Sequence, residues 1–177
     1  KKTLNSGKVG HTGTLDKFAE GLMLVLTGKM TKLAPFFSNM DKEYIAVFKF
    51  GEQTDTLDPE GNVIFTSDIP SLESIRAQIP NFFGGIMQLP PDFSAIHING
   101  QRAYKLAAAG KATNLKERPV VIHDYIIQEW AAPFLTVKVN CSKGTYIRSL
   151  ARDLGIATGT RAHVHSLKRT KVGSWDI

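Results

Sequence analysis

Cysteine is almost missing from this chain, and long apolar runs are missing altogether. The single cysteine, Cys141, excludes an intramolecular disulfide and is typical of a reducing compartment, so we expect a cytoplasmic location. The longest apolar run, residues 21–26, is far too short to cross a bilayer, so no membrane association is expected. Cys141 lies on the apolar face of a predicted strand, and we therefore expect a buried and inert thiol rather than a nucleophile.

Several chemical signatures are also missing from the sequence. There is no P-loop, no dinucleotide-binding glycine fingerprint and no Gly-x-Ser-x-Gly elbow, so nucleotide-driven, dinucleotide-dependent and serine hydrolase chemistry have no sequence support. The acidic residues Asp55, Asp58 and Glu60 do not have the spacing of a calcium-binding EF-hand and are interpreted as part of a hairpin turn. His163 and His165 share a strand face without a second ligand pair, so no metal site is expected.

Positive charge is present in modest excess and is unevenly distributed. The net charge is +6, with eight Lys or Arg against four acids in residues 1–50 and seven against two in residues 143–177, whereas residues 51–142 carry seven against ten. If folding brings the two ends together, they would attract a polyanionic ligand. The alternative is that scattered cations merely solvate the surface.

Periodicity predicts an α+β fold in which strands outnumber helices. No internal repeat or linker divides the sequence, so residues 1–177 are expected to form a single domain. The predicted elements are a buried strand at 21–27, strands at 44–50, 62–67, 120–130, 134–141 and 162–170, helices at 29–38, 71–79, 102–109 and 145–155, and a loop at 84–92.

The most informative segment is the glycine-containing turn at residues 10–16, with the sequence Gly-His-Thr-Gly-Thr-Leu-Asp. Its glycines allow a tight turn and close approach of a ligand, and its side chains offer hydrogen bonds that could hold Asp16 in place. Taken alone, Asp16 would be interpreted as a solvated turn residue or a helix N-cap, which are the usual roles of an aspartate after glycine and threonine. A functional interpretation therefore depends on the rest of the sequence.

Further segments follow this turn in a recognisable order. They are residues 41–44 (DKEY), 53–61 (QTDTLDPEG), 90–95 (PPDFSA), 99–104 (NGQRAY), 141–148 (CSKGTYIR) and 163–169 (HVHSLKR). Together with residues 10–16, they resemble the TruB-type tRNA pseudouridine synthases over nearly the whole chain. Such agreement is far more specific than one short motif.

The resemblance implies a fold and a reaction. The implied fold is α+β, with a mixed, mostly antiparallel central sheet, flanking helices and an RNA-binding cleft. The implied reaction is isomerisation of uridine to pseudouridine in the T arm (position 55) of tRNA, with no cofactor. The implied partner is the T stem-loop of tRNA, and we expect a monomer.

The resemblance also assigns roles to four residues. Asp16 is the implied catalytic carboxylate, either as nucleophile toward the ribose or as the group that starts glycosidic cleavage. Arg148 is expected to pair with Asp16 and lower its pKa. Tyr44 is expected to stack on the flipped base, and Tyr146 to line the pocket and assist the late proton transfer. Without the resemblance, Arg148 would be interpreted as a surface charge and Tyr44 as a core residue.

Other positions match the family more loosely. His11 resembles its RNA-contacting histidine and Leu167 its apolar pocket wall, although an isolated histidine in a turn is more often a surface residue. The remaining RNA-contact candidates are Lys32, Asp58, Arg102 and Tyr104, with the turn around Asp58 expected to face RNA or solvent. Lys32 is alternatively structural.

Three features differ from, or qualify, the family pattern. Residues 92–119 match a mobile insertion that clamps the RNA arm, and we expect them to be the most mobile region. Lys17 occupies the position after Asp16 where the family usually has proline, and the usual upstream segment and C-terminal PUA domain have no counterpart in the sequence. We therefore expect the chain to be a fragment. Two alternatives remain, a guide-RNA-dependent synthase subunit and an RNA-binding or tRNA-folding module with secondary catalysis.

Overall fold

A computed structural model describes residues 7–177 and shows many strands with few, short helices. The strands are β1 (Val9–His11), β2 (Glu20–Gly21), β3 (Val25–Thr27), β4 (Lys42–Phe50), β5 (Glu52–Thr54), β6 (Val63–Thr66), β7 (Gly84–Gln88), β8 (His97–Ile98), β9 (Gln101–Arg102), β10 (Arg118–Ala131), β11 (Phe134–Cys141), β12 (Ala162–Val172) and β13 (Trp175–Asp176). The α-helices are α1 (Ala34–Ser38), α2 (Leu72–Gln78), α3 (Ala103–Ala108) and α4 (Ile147–Ala157). Two 3₁₀ turns cover Gly28–Leu33 and Ile79–Phe82.

One seven-stranded sheet organises the molecule. Its strands are ordered β13-β12-β4-β11-β10-β7, and β2 joins by pairing in parallel with β12. The neighbours along that path pair antiparallel, which confirms the predicted α+β fold with a mixed, mostly antiparallel sheet. The sheet places β12, near the C-terminal end of the chain, directly beside β4 from its first third.

The hydrophobic core lies between the sheet and α4. Strand β11 alternates buried and half-buried side chains, as the period of two in its sequence predicts. Helix α4 presents Ile147, Leu150, Ala151 and Leu154 to the core, following its i, i+3, i+4, i+7 pattern. The first turn of α4 is therefore held against the sheet, and this turn carries Arg148.

Much of the predicted element order is confirmed. Strand β11 has the predicted bounds, and β4, β6, β10 and β12 each differ from prediction by a few residues at most. Helix α2 begins after Ser71, whose hydroxyl accepts a hydrogen bond from the Ser74 amide at 3.1 Å, as expected of an N-cap. On β4, Ala46, Phe48 and Phe50 are fully buried on one face, as the alternation of a half-buried strand requires.

The predicted buried strand at 21–27 is wrong. The chain there forms the two short strands β2 and β3, and none of its residues is buried. Gly21 has φ +112°, and a methyl group in place of its hydrogen would lie 2.2 Å from the Arg169 carbonyl oxygen, so the segment crosses close over β12. Residues 21–27 are apolar but show no clear alternation. Their sequence alone therefore could not show whether they form a buried strand or an irregular segment that passes over β12.

Two other boundaries also differ from prediction. Residues 84–88 form β7 rather than a loop, because the long strand β10 offers them a pairing edge that overrides their two glycines. Helix α4 continues past Gly155 to Ala157, because Gly155 packs against the backbone of Ala162 instead of ending the helix. Within residues 7–177, no helix has the length and apolar character needed to cross a membrane.

Candidate active site

A cavity of about 740 Å³ opens beside the sheet and holds most of the predicted site residues. Asp16, Tyr44, Tyr146 and Arg148 all line it, although they are scattered from residue 16 to residue 148. The full lining is Thr12, Gly13, Thr14, Leu15, Asp16, Lys17, Ser38, Lys42, Tyr44, Thr56, Asp58, Glu60, Phe93, Ser94, Ala95, Tyr104, Ser142, Gly144, Thr145, Tyr146, Arg148 and Arg169. The two basic ends of the chain meet here, as their charge distribution suggested.

Strand β12 holds the loop that carries Asp16. The Arg169 guanidinium donates from Nε to the Leu22 carbonyl at 2.7 Å and from Nη2 to the Gly13 carbonyl at 3.3 Å. The Leu22 amide in turn donates to the Arg169 carbonyl at 2.8 Å, and the Ala19 amide donates to the Asp16 carbonyl at 3.0 Å. One buried arginine therefore anchors the loop on both sides of Asp16.

The Arg148 guanidinium is the centre of the cavity's hydrogen-bond network. Its Nη2 donates to Asp16 Oδ1 and to the Phe93 carbonyl, both at 2.9 Å. Its Nη1 donates to the Thr56 carbonyl at 2.9 Å and to Asp58 Oδ2 at 3.3 Å. Arg148 is only 4% exposed, so this geometry is held by buried hydrogen bonds rather than by a flexible surface contact.

Asp58 corrects a prediction. Its turn was expected to face RNA or solvent, but Asp58 is 5% exposed and forms a second ion pair with Arg148. The same carboxylate accepts from the Thr56 hydroxyl at 2.6 Å and the Glu60 amide at 3.0 Å. Its sequence neighbours, Pro59 and a glycine, are typical of an exposed turn, and only the fold reveals that the turn closes over the guanidinium.

Burial, rather than the ion pair, controls the protonation of Asp16. Removal from water raises the pKa of Asp16 above its usual value of 3.8, and the nearby Asp58 charge acts in the same direction. Arg148 lowers the pKa of Asp16 through its charge and its hydrogen bond, but it does not reverse the net shift. Arg148 therefore acts on the pKa of Asp16 in the predicted direction, but burial outweighs it and the net shift is upward.

The two tyrosines flank the same cavity from different elements. Tyr44 lies on β4 opposite Arg169 of β12, and burial raises the pKa of Tyr44 to about 12. Tyr146 immediately precedes α4, and burial also raises the pKa of its phenol. Both phenols are therefore neutral near pH 7 and present aromatic surface on which a base could stack.

Gln88 was missed by sequence reasoning. This fully buried residue at the end of β7 accepts from the Tyr146 amide through Oε1 at 2.8 Å and donates from Nε2 to the Tyr146 carbonyl at 3.2 Å. The following residue, Leu89, accepts at its carbonyl from the Ser149 hydroxyl at 2.8 Å. Strand β7 thus fixes the backbone at the start of α4, and nothing in the local sequence indicates this.

Lys42 and Arg169 were missed as well. Both line the cavity and are buried, at 7% and 2% exposure. Lys42 lies two residues before Tyr44, so the alternation of β4 already places the two on the same face. That alternation was the available signal for Lys42, whereas the position of Arg169 depends on the pairing of β12 with β4.

The remaining predicted residues are placed as follows. Tyr104 lines the cavity and is half exposed, and it comes from α3 within residues 92–119. His11, Lys32 and Arg102 are exposed and do not line the cavity. Leu167 is packed in the hydrophobic core and is not part of the cavity lining, so its predicted place on the pocket wall is not observed.

The structure also places Lys17, the two histidines of β12 and the single cysteine. Lys17 is exposed and pairs with Glu60, with 3.1 Å between Nζ and Oε1, across the mouth of the cavity. His163 is buried while His165 is exposed, because β12 is irregular between Val164 and Ser166. Among residues 7–177, no three His, Cys, Asp or Glu side chains come close enough together to hold a metal ion. Burial raises the pKa of Cys141 to about 12, consistent with an inert thiol.

Sequence comparison identifies closely similar proteins. The family model described as TruB family pseudouridylate synthase (N terminal domain) matches residues 1–147. The chain is 52% identical to tRNA pseudouridine synthase B of Borreliella afzelii, over 98% of this chain and 62% of that protein. It is 42% identical to tRNA pseudouridine synthase B of Treponema denticola, over 100% of this chain and 55% of that protein. The chain thus spans about three fifths of the length of these relatives.

Structure comparison leads to the same fold. A chain in a crystal structure of a Cbf5-Nop10-Gar1 complex superposes with a TM-score of 0.74 and 28% identity, over 99% of this chain and 43% of that chain. A chain in a structure of an H/ACA RNP bound to a substrate RNA containing 2′-deoxyuridine gives a TM-score of 0.70 and 26% identity.

Proposed function

Because the chain belongs to the TruB family of pseudouridylate synthases, we propose that it converts uridine at position 55 in the T arm of tRNA into pseudouridine. The bond from ribose C1′ to uracil N1 breaks, the uracil turns within the pocket, and a bond forms from C1′ to C5. The C5 proton then leaves and N1 regains a proton. Substrate and product have the same atoms, so the reaction consumes no co-reactant.

The observation that supports this proposal most directly is the Arg148 bridge between Asp16 and Asp58 inside the cavity. Asp16 has one carboxylate oxygen bound by Arg148, and its side chain is about one third exposed toward the cavity. A carboxylate held in this way can attack C1′ or stabilise the positive charge that develops there as N1 leaves. Both routes require the ionised form of Asp16.

The walls of the cavity suit a flipped base. An enzyme that acts on a base within a folded RNA loop must extrude that base and replace its stacking. Tyr44 and Tyr146 supply aromatic surface in the same cavity as Asp16, and the Tyr146 hydroxyl is a candidate for the late proton transfer. Phe93, Ser94 and Tyr104, all from residues 92–119, add to the lining, which supports a role for that segment in clamping the RNA arm.

A stand-alone tRNA enzyme is the better-supported version of this function. The chain is 52% identical to a synthase named for tRNA but 28% identical to the chain in the Cbf5-Nop10-Gar1 complex, which is an assembly of several proteins. The substrate proposed is therefore the T stem-loop itself. A tRNA substrate also makes the cytoplasm the proposed compartment.

Tritium release from a T-arm hairpin labelled at uridine C5 tests the proposal. The 177-residue chain should release tritium, and the Asp16→Asn variant should release none above background while still binding the hairpin. Asp68→Asn is the matched control, because Asp68 is exposed and lies outside the cavity lining. That variant should release tritium at the rate of the unmodified chain.

Other outcomes contradict specific parts of the proposal. Release by the Asp16→Asn variant would remove Asp16 from the chemistry. A folded, unmodified chain that binds the hairpin without releasing tritium would contradict the isomerase assignment and favour the RNA-binding alternative.

A further inference from the structure

Two buried cations share the sheet face that carries Tyr44. Lys42 lies two residues before Tyr44 on β4, and Arg169 lies directly opposite Tyr44 on β12. Successive residues of a strand alternate between faces, and cross-strand partners share a face, so all three side chains lie on the same side of the sheet. All three line the cavity.

The hydrogen bonds of these cations go to neutral groups. The Lys42 ammonium donates to the carbonyls of Ser38 at 2.8 Å and Met40 at 2.5 Å. The Arg169 guanidinium donates to the two loop carbonyls described above. Among residues 7–177, no carboxylate lies within 4 Å of either cation, whereas Arg148 has two such partners.

Two buried positive charges without an anion are unfavourable. Carbonyl dipoles satisfy their hydrogen-bond donors but leave the net charge uncompensated. Burial and the Arg169 charge both lower the pKa of Lys42, which reflects the same cost. An anion that enters the cavity beside Tyr44 would offset this cost and would gain charge-assisted hydrogen bonds.

We propose that Lys42, supported by the charge of Arg169, forms a phosphate-binding subsite for an RNA phosphodiester next to the flipped uridine. This inference rests on the proposed function, because a base held against Tyr44 brings its own backbone phosphates into the cavity. Arg169 then has two roles, since it also anchors the Asp16 loop. Lys42 is therefore the residue to change, because its substitution leaves that anchor intact.

Inorganic phosphate is the first probe, because it requires neither RNA nor catalysis. The thermal unfolding midpoint is measured in phosphate and in chloride at equal ionic strength. Phosphate should raise the midpoint of the unmodified chain, and Lys42→Gln should abolish the increase. Lys138→Gln is the matched control, because it removes the same charge from a half-buried residue on the neighbouring strand β11, which pairs with Glu43 and lies outside the cavity lining.

Lys42→Arg provides a second variant that keeps the charge. Phosphate should still raise the thermal unfolding midpoint of this variant. That result would show that the loss in Lys42→Gln is due to the missing charge and not to damage to the fold. No increase in the unmodified chain, or an equal increase in Lys42→Gln and Lys138→Gln, would overturn the proposal.

A T-arm hairpin with single methylphosphonate linkages distinguishes an RNA phosphate from a free one. One neutral linkage next to the target uridine should weaken binding of the unmodified chain about tenfold. The same linkage should not change the affinity of Lys42→Gln. For this variant, the slope of the logarithm of the binding constant against the logarithm of salt concentration should also be smaller in magnitude by about one. If every neutral linkage changes the hairpin affinity of the unmodified chain and of Lys42→Gln equally, the site binds free phosphate and the RNA assignment is wrong. Neither probe measures tritium release, so failure of this subsite and failure of the isomerase assignment can be told apart.

Discussion

At the scale of single residues, the candidate site depends on one guanidinium shared by two carboxylates. Arg148, Asp16 and Asp58 come from α4 and from two separate loops, so their contacts tie distant parts of the chain together. Because Arg148 and Asp58 are both almost fully buried, removing the cation would leave a buried carboxylate without its partner. Substitutions of Arg148 and Asp58 should therefore have coupled effects on the free energy of unfolding.

A double-mutant cycle measures this coupling. Arg148→Met should lower the free energy of unfolding by about 3–5 kcal/mol, because it leaves Asp58 charged and buried. The Arg148→Met, Asp58→Asn double variant should recover at least about 1 kcal/mol of that loss, since the uncompensated charge is gone. The measurement is urea unfolding at pH 7. Strictly additive effects of the two substitutions would show that the pair is not coupled.

The raised pKa of Asp16 has a consequence for stability against pH. A carboxyl whose pKa is higher in the folded state binds more protons there than in the unfolded chain, so its contribution to stability falls as pH rises. The decline begins near the unfolded value of 3.8 and ends above the folded value. The Asp16→Asn variant lacks this titration.

The free energy of unfolding of the unmodified chain minus that of Asp16→Asn should therefore decrease as the pH rises above about 4, until Asp16 is ionised in the folded state as well. Urea unfolding of both proteins at several pH values checks this, and subtraction removes the titration of all other groups. A difference that increases with pH would mean that Arg148 outweighs burial. Tritium release should fall on the acid side as Asp16 gains its proton.

At the scale of elements, the position of α4 depends on a close approach that only glycine permits. A methyl group added at Gly155 would lie 2.6 Å from the Ala162 amide nitrogen and 3.0 Å from the Arg161 carbonyl carbon. Both atoms belong to the backbone that leads into β12 and cannot move independently of it. Helix α4 and β12 therefore pack at a distance determined by this residue.

Gly155→Ala should destabilise the fold by about 1–3 kcal/mol through overpacking. This sign is opposite to that expected of an ordinary helical position, where the same change stabilises by about 0.5–1 kcal/mol. Gly85→Ala in β7 is the matched control, because nothing lies within 4 Å of its added methyl group. Equal unfolding midpoints of the two variants in urea would contradict the close packing of α4 on β12.

At the scale of the whole molecule, the fold concentrates positive charge around the cavity. Lys17 and Lys42 come from the first fifty residues, and Arg148 and Arg169 from the last thirty-five. The net charge of +6 alone would not show this, since the cations could have been spread over the surface. Their convergence favours a ligand with several negative charges.

Binding of a T-arm hairpin should therefore depend strongly on salt. If three phosphates are neutralised, a fourfold increase in salt should weaken binding about 20- to 40-fold. Fluorescence anisotropy with a labelled hairpin over a salt series measures the slope, and a matched hairpin with the target uridine replaced by cytidine provides the control. Equal slopes are expected for both, since phosphate contacts do not read the base. Binding that does not change with salt would exclude an electrostatic interface.

Residue patterns alone were sufficient for the α+β class, most of the strands and the amphipathic face of α4, because alternation and helical spacing report which side chains avoid water. The resemblance of ordered motifs pointed to the family, and it selected the four cavity residues Asp16, Tyr44, Tyr146 and Arg148. Each of these conclusions depends on the spacing of residues or the order of motifs along the chain, and both can be read directly from the sequence.

Only the tertiary structure decided which distant groups meet, because contacts between separate loops leave no local pattern. The closure of Asp58 on Arg148, the hold of Gln88 on Tyr146 and the anchoring of the Asp16 loop by Arg169 all join residues far apart in the sequence. The tertiary structure also decides the protonation of Asp16, because the pKa of Asp16 reflects burial that the sequence of the turn does not reveal. Sequence determined the parts and their order, whereas packing determined their chemistry, because desolvation and hydrogen bonding exist only once the chain has folded.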